Sequence, residues 1–82
     1  MPKRDAELLV EDMLEALRKI DLYTAGLDHS AFLKDEKTID AVVRNLEVLG
    51  EAARQVPDAF LVSHPDVPWR KIAGLRNRSE HD

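Results

Sequence analysis

Apolar residues recur at helical spacing near the start of the chain, from Asp5 to about Thr24. On a helix of about 3.6 residues per turn, most of them fall within an arc of roughly 180°, and charged side chains occupy the opposite face. The arc consists of Tyr23, Ala16, Leu9, Ile20, Met13, Ala6, Leu17, Val10 and Leu14, whereas Leu8 and Leu22 lie among the polar residues. Gly26 is a residue type that commonly follows a helix end. The pattern therefore predicts an amphipathic helix over residues 5–24.

A second helical pattern runs from about Thr38 to Val56, where Pro57 ends it. Its polar residues occupy only about 100° of the circumference, which leaves an apolar arc of about 220°. Since one neighbouring helix cannot cover so wide an arc, we expect a central helix that is packed on at least two sides. Asn45 interrupts the arc, and we interpret it as a hydrogen-bonded interior amide, with a ligand contact as the alternative.

The rest of the chain is predicted to form short connections and one further helix. A turn over Asp28–Leu33 is expected to anchor Phe32 in the core, and prolines fix a connector over residues 64–68. A third helix should begin at the end of that connector and run toward the end of the chain. Because short connections favour antiparallel neighbours, the sequence predicts an all-α, up-and-down antiparallel helical bundle, formed by residues 1–82 as a single domain.

Composition narrows the classes of protein to which the chain can belong. It has 82 residues and no cysteine, which excludes disulfides and thiolate zinc sites. A domain this short is marginal as a monomer, so we expect self-association. The start of the sequence has no apolar signal core and no run long enough to cross a bilayer, which predicts a cytoplasmic protein without membrane contact. The formal net charge of −4 argues against general nucleic-acid coating.

Charge is distributed unevenly along the chain. Six acids and two bases lie between Asp5 and Tyr23, whereas four bases and one acid lie between Trp69 and His81. An anion would therefore bind most favourably near the C-terminal end of the sequence. The alternative is an ordinary solvated, charged end.

Arg76, Asn77 and His81 are the candidate site residues. Arg76 continues the apolar stripe of the third predicted helix, where a guanidinium group must be paired or face a cleft. Asn77 and His81 are four residues apart and therefore share a face of that helix. A fixed cation, an amide and a titratable imidazole thus gather at one helix end. The alternative is a charged helix end with an Arg76–Glu80 ion pair.

Other reactive side chains show no catalytic pattern. His29, His64 and His81 form no pair at positions i and i+4, and no thiol accompanies them, so we expect no metal site. Ser30 and Ser63 have no recognisable base partner, so we expect no nucleophilic triad. The sequence also lacks a glycine-rich phosphate loop, and we predict no cofactor.

Short segments spread along the chain occur in an order that is typical of one known superfamily. They are Phe32 before Asp35, Thr38-Ile39-Asp40-Ala41-Val42, Leu49-Gly50-Glu51-Ala52, Val67-Pro68-Trp69 and Ile72-Ala73-Gly74-Leu75-Arg76-Asn77, followed by His81. Arg76 and His81 also reproduce its hallmark, an arginine and a histidine with four residues between them. In these features the chain resembles the HEPN superfamily, specifically the HepT toxins that are encoded beside a minimal nucleotidyltransferase antitoxin.

The resemblance implies a HEPN-fold bundle that dimerises and brings the arginine and histidine of both subunits into one cleft. It also implies a metal-independent endoribonuclease, the toxin of a type II toxin–antitoxin pair, with RNA as substrate and a cognate minimal nucleotidyltransferase as partner. His81 would move protons to or from the 2′-hydroxyl or the leaving oxygen. Arg76 would brace the phosphate, and Asn77 would orient the phosphate or the imidazole.

Two features depart from the pattern of this family. Ser79-Glu80 stands where members usually carry apolar residues, and the tyrosine two residues after the histidine has no counterpart, since the sequence ends at Asp82. The final helix of family members is also missing, so we expect a C-terminally truncated form. Two alternatives to the ribonuclease therefore stay open. One is a non-catalytic HEPN interaction or nucleotide-binding module that partners a nucleotidyltransferase, and the other is an inactive truncated remnant.

Overall fold

The computed structural model describes residues 5–81, with side chains described over residues 5–75. Five helices follow one another: α1 (Ala6–Thr24), α2 (His29–Leu33), α3 (Glu36–Gln55), α4 (Asp58–Ser63) and α5 (Trp69–His81). No strand occurs within the described range. The prediction of an all-α helical fold is confirmed.

Aspartate side chains start three of these helices. In each, the carboxylate accepts a hydrogen bond from the backbone N–H three residues further on, which satisfies a donor that has no partner within the helix. The pairs are Asp5 with Leu8 (3.0 Å), Asp28 with Ala31 (2.8 Å) and Asp35 with Thr38 (3.1 Å). Because Asp35 is the cap, α3 begins at Glu36, two residues before the start that the apolar pattern predicted.

Both long helices before the connector end where the sequence places a residue that cannot continue them. After α1, Gly26 adopts a φ of 77°, a left-handed conformation that residues with a Cβ atom rarely take. After α3, Val56 is extended (φ −65°, ψ 129°), as expected for the residue that precedes Pro57. The predicted end of α1 at Thr24 is confirmed, and α3 ends at Gln55, one residue before the predicted Val56.

Helix α3 is the centre of the fold. It packs against α1 on one side and α5 on another, and it also contacts α2. The buried core lies mainly between α1 and α3 and consists of Leu9, Met13, Ala16, Leu49, Ala52, Ala53 and Val56. Asn45 is only 8% exposed, and its Nδ2 donates a hydrogen bond to the Ala41 carbonyl at 2.8 Å. The predictions of a central helix and of a hydrogen-bonded interior amide are both confirmed.

The buried part of α1 is narrower than the predicted arc. Leu14 is 60% exposed and Leu17 is 46% exposed, although both belong to the apolar arc. The reason is that α1 packs mainly on α3, so that only the part of the arc facing α3 is covered. Phe32 was expected to anchor the core, but it is only half-buried and lies outside the core cluster.

Candidate functional site on the last helix

The connector before α5 fixes the start of that helix. The indole Nε1 of Trp69 donates a hydrogen bond to the His64 carbonyl at 3.0 Å, and the Trp69 backbone N–H donates to the Val67 carbonyl at 2.9 Å. The indole ring also meets the Phe60 ring edge-on, with 6.1 Å between centroids. Pro68 directly precedes the helix, where its missing N–H removes no helical hydrogen bond. Side-chain and backbone contacts together therefore position α5.

The described part of α5 has an apolar side and a basic side. Trp69, Ile72, Ala73 and Leu75 are half-buried and pack against the core. Arg70 and Lys71 are exposed, and neither makes an ion pair or side-chain hydrogen bond with another described residue. The apolar stripe holds the helix against the bundle, so its positive charge is presented to solvent.

Arg76, Asn77 and His81 all fall within α5, whose helical backbone continues to His81. Their side chains lie outside the described residues, as does the side chain of Glu80 in the alternative Arg76–Glu80 ion pair. Helical geometry separates Arg76 from Asn77 by about 100° and returns His81 to the face of Asn77. The arginine–asparagine–histidine cluster remains a prediction, carried by one continuous helix.

A second surface, the groove between α1 and α3, has a different charge character. Its lining includes the acids Asp12, Glu15, Glu47 and Glu51 together with the bases Lys19 and Arg44. This excess of carboxylates disfavours a phosphate-bearing ligand. Within the described residues, no three His, Cys, Asp or Glu side chains are grouped so that they could hold a metal ion. No described helix is long and apolar enough to cross a membrane.

One predicted absence needs correction, because Ser63 does have a histidine beside it. Its Oγ lies 3.1 Å from Nδ1 of His64, and it also donates to the Phe60 carbonyl at 2.9 Å. His64 Nδ1 is itself 3.2 Å from that carbonyl. The hydroxyl proton is thus used within the last turn of α4, and no described carboxylate hydrogen-bonds to the histidine. The pair ends a helix and, within the part of the chain whose side chains are described, forms no nucleophilic triad.

Comparison with known proteins decides the family. The profile of the family described as ribonuclease HepT-like matches residues 13–82. A Methanocaldococcus jannaschii protein provisionally named as an RNase is 42% identical over 81 residues, which is 99% of this chain and 67% of that protein. A Thermococcus cleftensis protein named as the probable ribonuclease HepT is 39% identical over 79 residues, which is 96% of this chain and 72% of that protein.

The chain belongs to the HepT-like ribonuclease family. A further M. jannaschii protein, also provisionally named as an RNase, is 36% identical over 94% of this chain and 71% of its own length. No solved structure shows significant similarity to the chain. The matched range includes Arg76, Asn77 and His81, so the candidate residues lie inside the family region.

Sequence reasoning missed one cluster in this HepT-like chain. The rings of Phe60 and His64 are stacked, with 4.4 Å between centroids and 19° between planes. Trp69 contacts both residues of the pair, meeting the Phe60 ring edge-on and donating to the backbone carbonyl of His64. The i, i+4 spacing of Phe60 and His64 was the available signal, but the short segment over residues 57–62 offered too little periodicity to place both rings on one face.

Proposed function

We propose that this HepT-like chain is a metal-independent endoribonuclease and the toxin of a type II toxin–antitoxin pair. The observation that carries the proposal is the family match over residues 13–82, which contains Arg76 and His81 at the hallmark spacing. The continuous helix α5 supports it, because one rigid element then carries all three candidate residues. Its four basic residues, against one acid, favour a polyanionic substrate.

The proposed chemistry uses the nucleophile that RNA itself contains. His81 accepts the proton of the 2′-hydroxyl as that oxygen attacks the adjacent phosphorus, or protonates the 5′-oxygen as the P–O5′ bond breaks. The products are a 2′,3′-cyclic phosphate, which water can open to a 3′-phosphate, and a free 5′-hydroxyl. Arg76 stabilises charge on the phosphate oxygens through its planar fork of donors, and Asn77 orients the phosphate or the imidazole.

A homodimer is part of the proposal, because one chain leaves much apolar surface uncovered. Most of the exposed large apolar residues lie on α1, namely Leu8, Leu14, Leu17, Leu22 and Tyr23. Burial of such a surface against a second copy is favourable at about 25 cal/mol per Å². Sedimentation should show a dimer at micromolar concentration, which Leu14→Glu with Leu17→Glu should dissociate. The exposed Leu33 on α2 provides the matched control Leu33→Glu, and a folded wild-type monomer would contradict the homodimer.

The proposed partner of the toxin is a cognate minimal nucleotidyltransferase. Family membership supports this partner, since HepT-type toxins are paired with such an antitoxin. Coexpression of the two proteins should relieve growth arrest caused by this chain alone, and the two should copurify. Growth arrest that the nucleotidyltransferase does not relieve would contradict the pairing.

One observation favours a second function, a non-catalytic HEPN module that binds a partner or a nucleotide. Glu80 stands directly before His81, and a carboxylate beside a phosphate would oppose binding of RNA. Cleavage of RNA by the purified chain decides between the two functions. A double variant, Arg76→Ala with His81→Ala, should fold normally and lose cleavage, whereas unchanged cleavage in that variant would refute the proposed site.

Single substitutions test the separate roles of His81 and Arg76. Either alanine substitution should slow cleavage by about 10²- to 10⁴-fold, through loss of proton transfer at His81 or of charge stabilisation at Arg76. Arg76→Lys should recover little of the rate, because an ammonium group cannot reproduce a bidentate contact. Cleavage should persist in EDTA, and a loss that magnesium or manganese restores would refute the metal-independent mechanism.

A further inference from the structure

An exposed, pre-oriented ring lies at the other end of α5 from the candidate residues. One face of the His64 imidazole rests on Phe60, with 4.4 Å between centroids. Its Nδ1 edge is held by the Phe60 carbonyl at 3.2 Å and the Ser63 hydroxyl at 3.1 Å. His64 is nevertheless exposed, and no second ring of the described residues stacks on it. A ring held in this way loses little conformational entropy when a second planar group stacks on it.

The surroundings of the ring combine apolar surface with positive charge. Beside it, a shallow depression is lined by Leu61, Val67, Pro68, Trp69, Arg70 and Lys71. Trp69 lines the depression and its Nε1 donates to the backbone carbonyl of His64, so the depression lies next to the residue that carries the ring. Arg70 and Lys71 are exposed and have no charged partner among the described residues. Stacking surfaces flanked by unpaired cations are the usual means of binding single-stranded nucleic acid.

We propose that the His64 ring and the adjoining depression form a stacking subsite for a base of single-stranded RNA, with Arg70 and Lys71 on the neighbouring phosphates. The inference rests on the proposed function, because it takes RNA as the ligand. From Trp69 to Arg76 the helix rises about 10 Å, which matches about three nucleotides at a stacked rise of 3.4 Å. A base in the depression beside Trp69 would therefore lie a few nucleotides from the scissile phosphate.

RNA fits this surface better than an acidic peptide does. A carboxylate-rich peptide could pair with Arg70 and Lys71 but would have no use for the flat face of the imidazole. The exposed carboxylate of Asp66 lies in the same connector and opposes both anionic ligands, so it does not distinguish between them. In RNA, a base can stack on the flat imidazole while the backbone phosphates lie on the side of the two cations.

The test measures binding without cleavage. A 2′-O-methylated RNA hexamer lacks the 2′-hydroxyl nucleophile, so it reports binding to the intact 82-residue chain even where the enzyme is active. Its comparison ligand is a hexamer of equal charge in which the bases are absent. Trp69 is the only tryptophan, and its fluorescence reports occupancy beside the ring. If the proposed function is wrong, unmodified RNA will not be cleaved. If this subsite is wrong, binding of the methylated hexamer will not depend on His64.

We expect His64→Ala to weaken binding of the methylated hexamer by about 5- to 150-fold, the range measured for loss of one base-stacking aromatic. His64→Phe keeps a planar ring but loses the Nδ1 hydrogen bonds, and it should bind within about threefold of the wild type. His29→Ala, which removes an exposed histidine of α2, should have no effect. Circular dichroism checks that each variant folds. If His64→Ala does not fold, the comparison of His64→Phe with the wild type still tests the subsite.

Three results would overturn the subsite. Equal affinity of the wild type for the base-containing and abasic hexamers would show that charge alone accounts for binding. Equal weakening by His64→Phe and His64→Ala would assign the effect to the Nδ1 hydrogen bonds. Binding of a hexaglutamate peptide as tight as that of the RNA, and equally dependent on His64, would identify a protein-docking surface.

Arg70→Gln and Lys71→Gln should each reduce the salt dependence of RNA binding, with a slope change of about 0.7 per phosphate contact.

Discussion

Helices α1 and α5 both pack on α3, but they contribute different things to the molecule. Helix α1 supplies fully buried side chains, with Leu9 only 1% and Ala16 only 2% exposed. The described part of α5 supplies no fully buried side chain, since the residues that pack against the core are only half-buried. Their charges also differ, since acids predominate along α1 and bases along α5. The buried core is therefore concentrated on the α1 side, and the basic residues on the α5 side.

The two helices also differ in whether their charged side chains form ion pairs. On α1, Arg18 Nη2 lies 2.6 Å from Glu15 Oε1, and the hydrogen bond from Arg18 holds the pKa of Glu15 below its ordinary value. On α5, Arg70 and Lys71 have no such partner among the described residues. Charges that are paired within a helix are ordinary solvated surface, whereas unpaired cations remain available to a ligand.

The largest expected effect on stability is at Leu9, whose truncation tests the contribution of α1 to the buried core. Leu9→Ala should lower the free energy of unfolding by about 2–5 kcal/mol, because it leaves a cavity in the core. Leu33→Ala provides a matched control, since Leu33 is 58% exposed and its truncation should cost less than about 0.5 kcal/mol. Urea denaturation followed by circular dichroism measures both. Similar costs for the two variants would show that α1 is not the stabilising side.

A smaller effect is expected at Trp69, which anchors α5. The ring is half-buried, so Trp69→Ala should cost about 2 kcal/mol and not the 3–5 kcal/mol typical of a fully buried aromatic. Trp69→Phe retains a ring against Phe60 and loses the hydrogen bond to His64, which is worth about 1 kcal/mol. Thermal unfolding followed by circular dichroism gives both values. A cost for Trp69→Ala that matched Leu9→Ala would remove the difference in anchoring between the two helices.

The start of α1 offers a test that depends on local structure alone. Asp5→Ala removes the carboxylate that accepts from the Leu8 N–H and should cost about 1 kcal/mol. Asp5→Asn retains an acceptor oxygen and should cost only a small part of that. Urea denaturation of the three proteins provides the comparison. An equal loss in both variants would assign the effect to charge at the helix terminus and not to the cap hydrogen bond.

The smallest expected effect is the contribution of Asp35 to the pH dependence of stability. The backbone N–H and the side chain of Thr38 donate hydrogen bonds that hold the pKa of Asp35 below its ordinary value. A carboxyl group with a lowered folded-state pKa stabilises the fold above its unfolded-state pKa, and that contribution is lost as the pH falls through the folded-state value. Unfolding free energies measured between pH 7 and acid should therefore fall less steeply in Asp35→Asn. An identical pH profile in the variant would contradict this role.

The boundaries of the helices could be predicted because they depend on neighbouring residues. The aspartate caps, Gly26 after α1 and Pro57 after α3 act over three or four positions of the chain, and the structure places all of them at helix ends. The start of α3 was misplaced by two residues because Glu36 and Lys37 carry no apolar signal, although Asp35 is a cap residue. Family membership could likewise be predicted, since its motifs are read along the chain.

What only the tertiary structure decided is which part of each apolar arc is covered. Periodicity fixes where a side chain lies around its own helix, and it therefore predicted both the core positions Leu9 and Met13 and the exposed Leu14 and Leu17 as one arc. Burial depends on the direction from which α3 approaches, and residues distant in sequence set that direction. The stacking of His64 on Phe60 beside Trp69 has the same origin, because the connector must fold before the three rings meet.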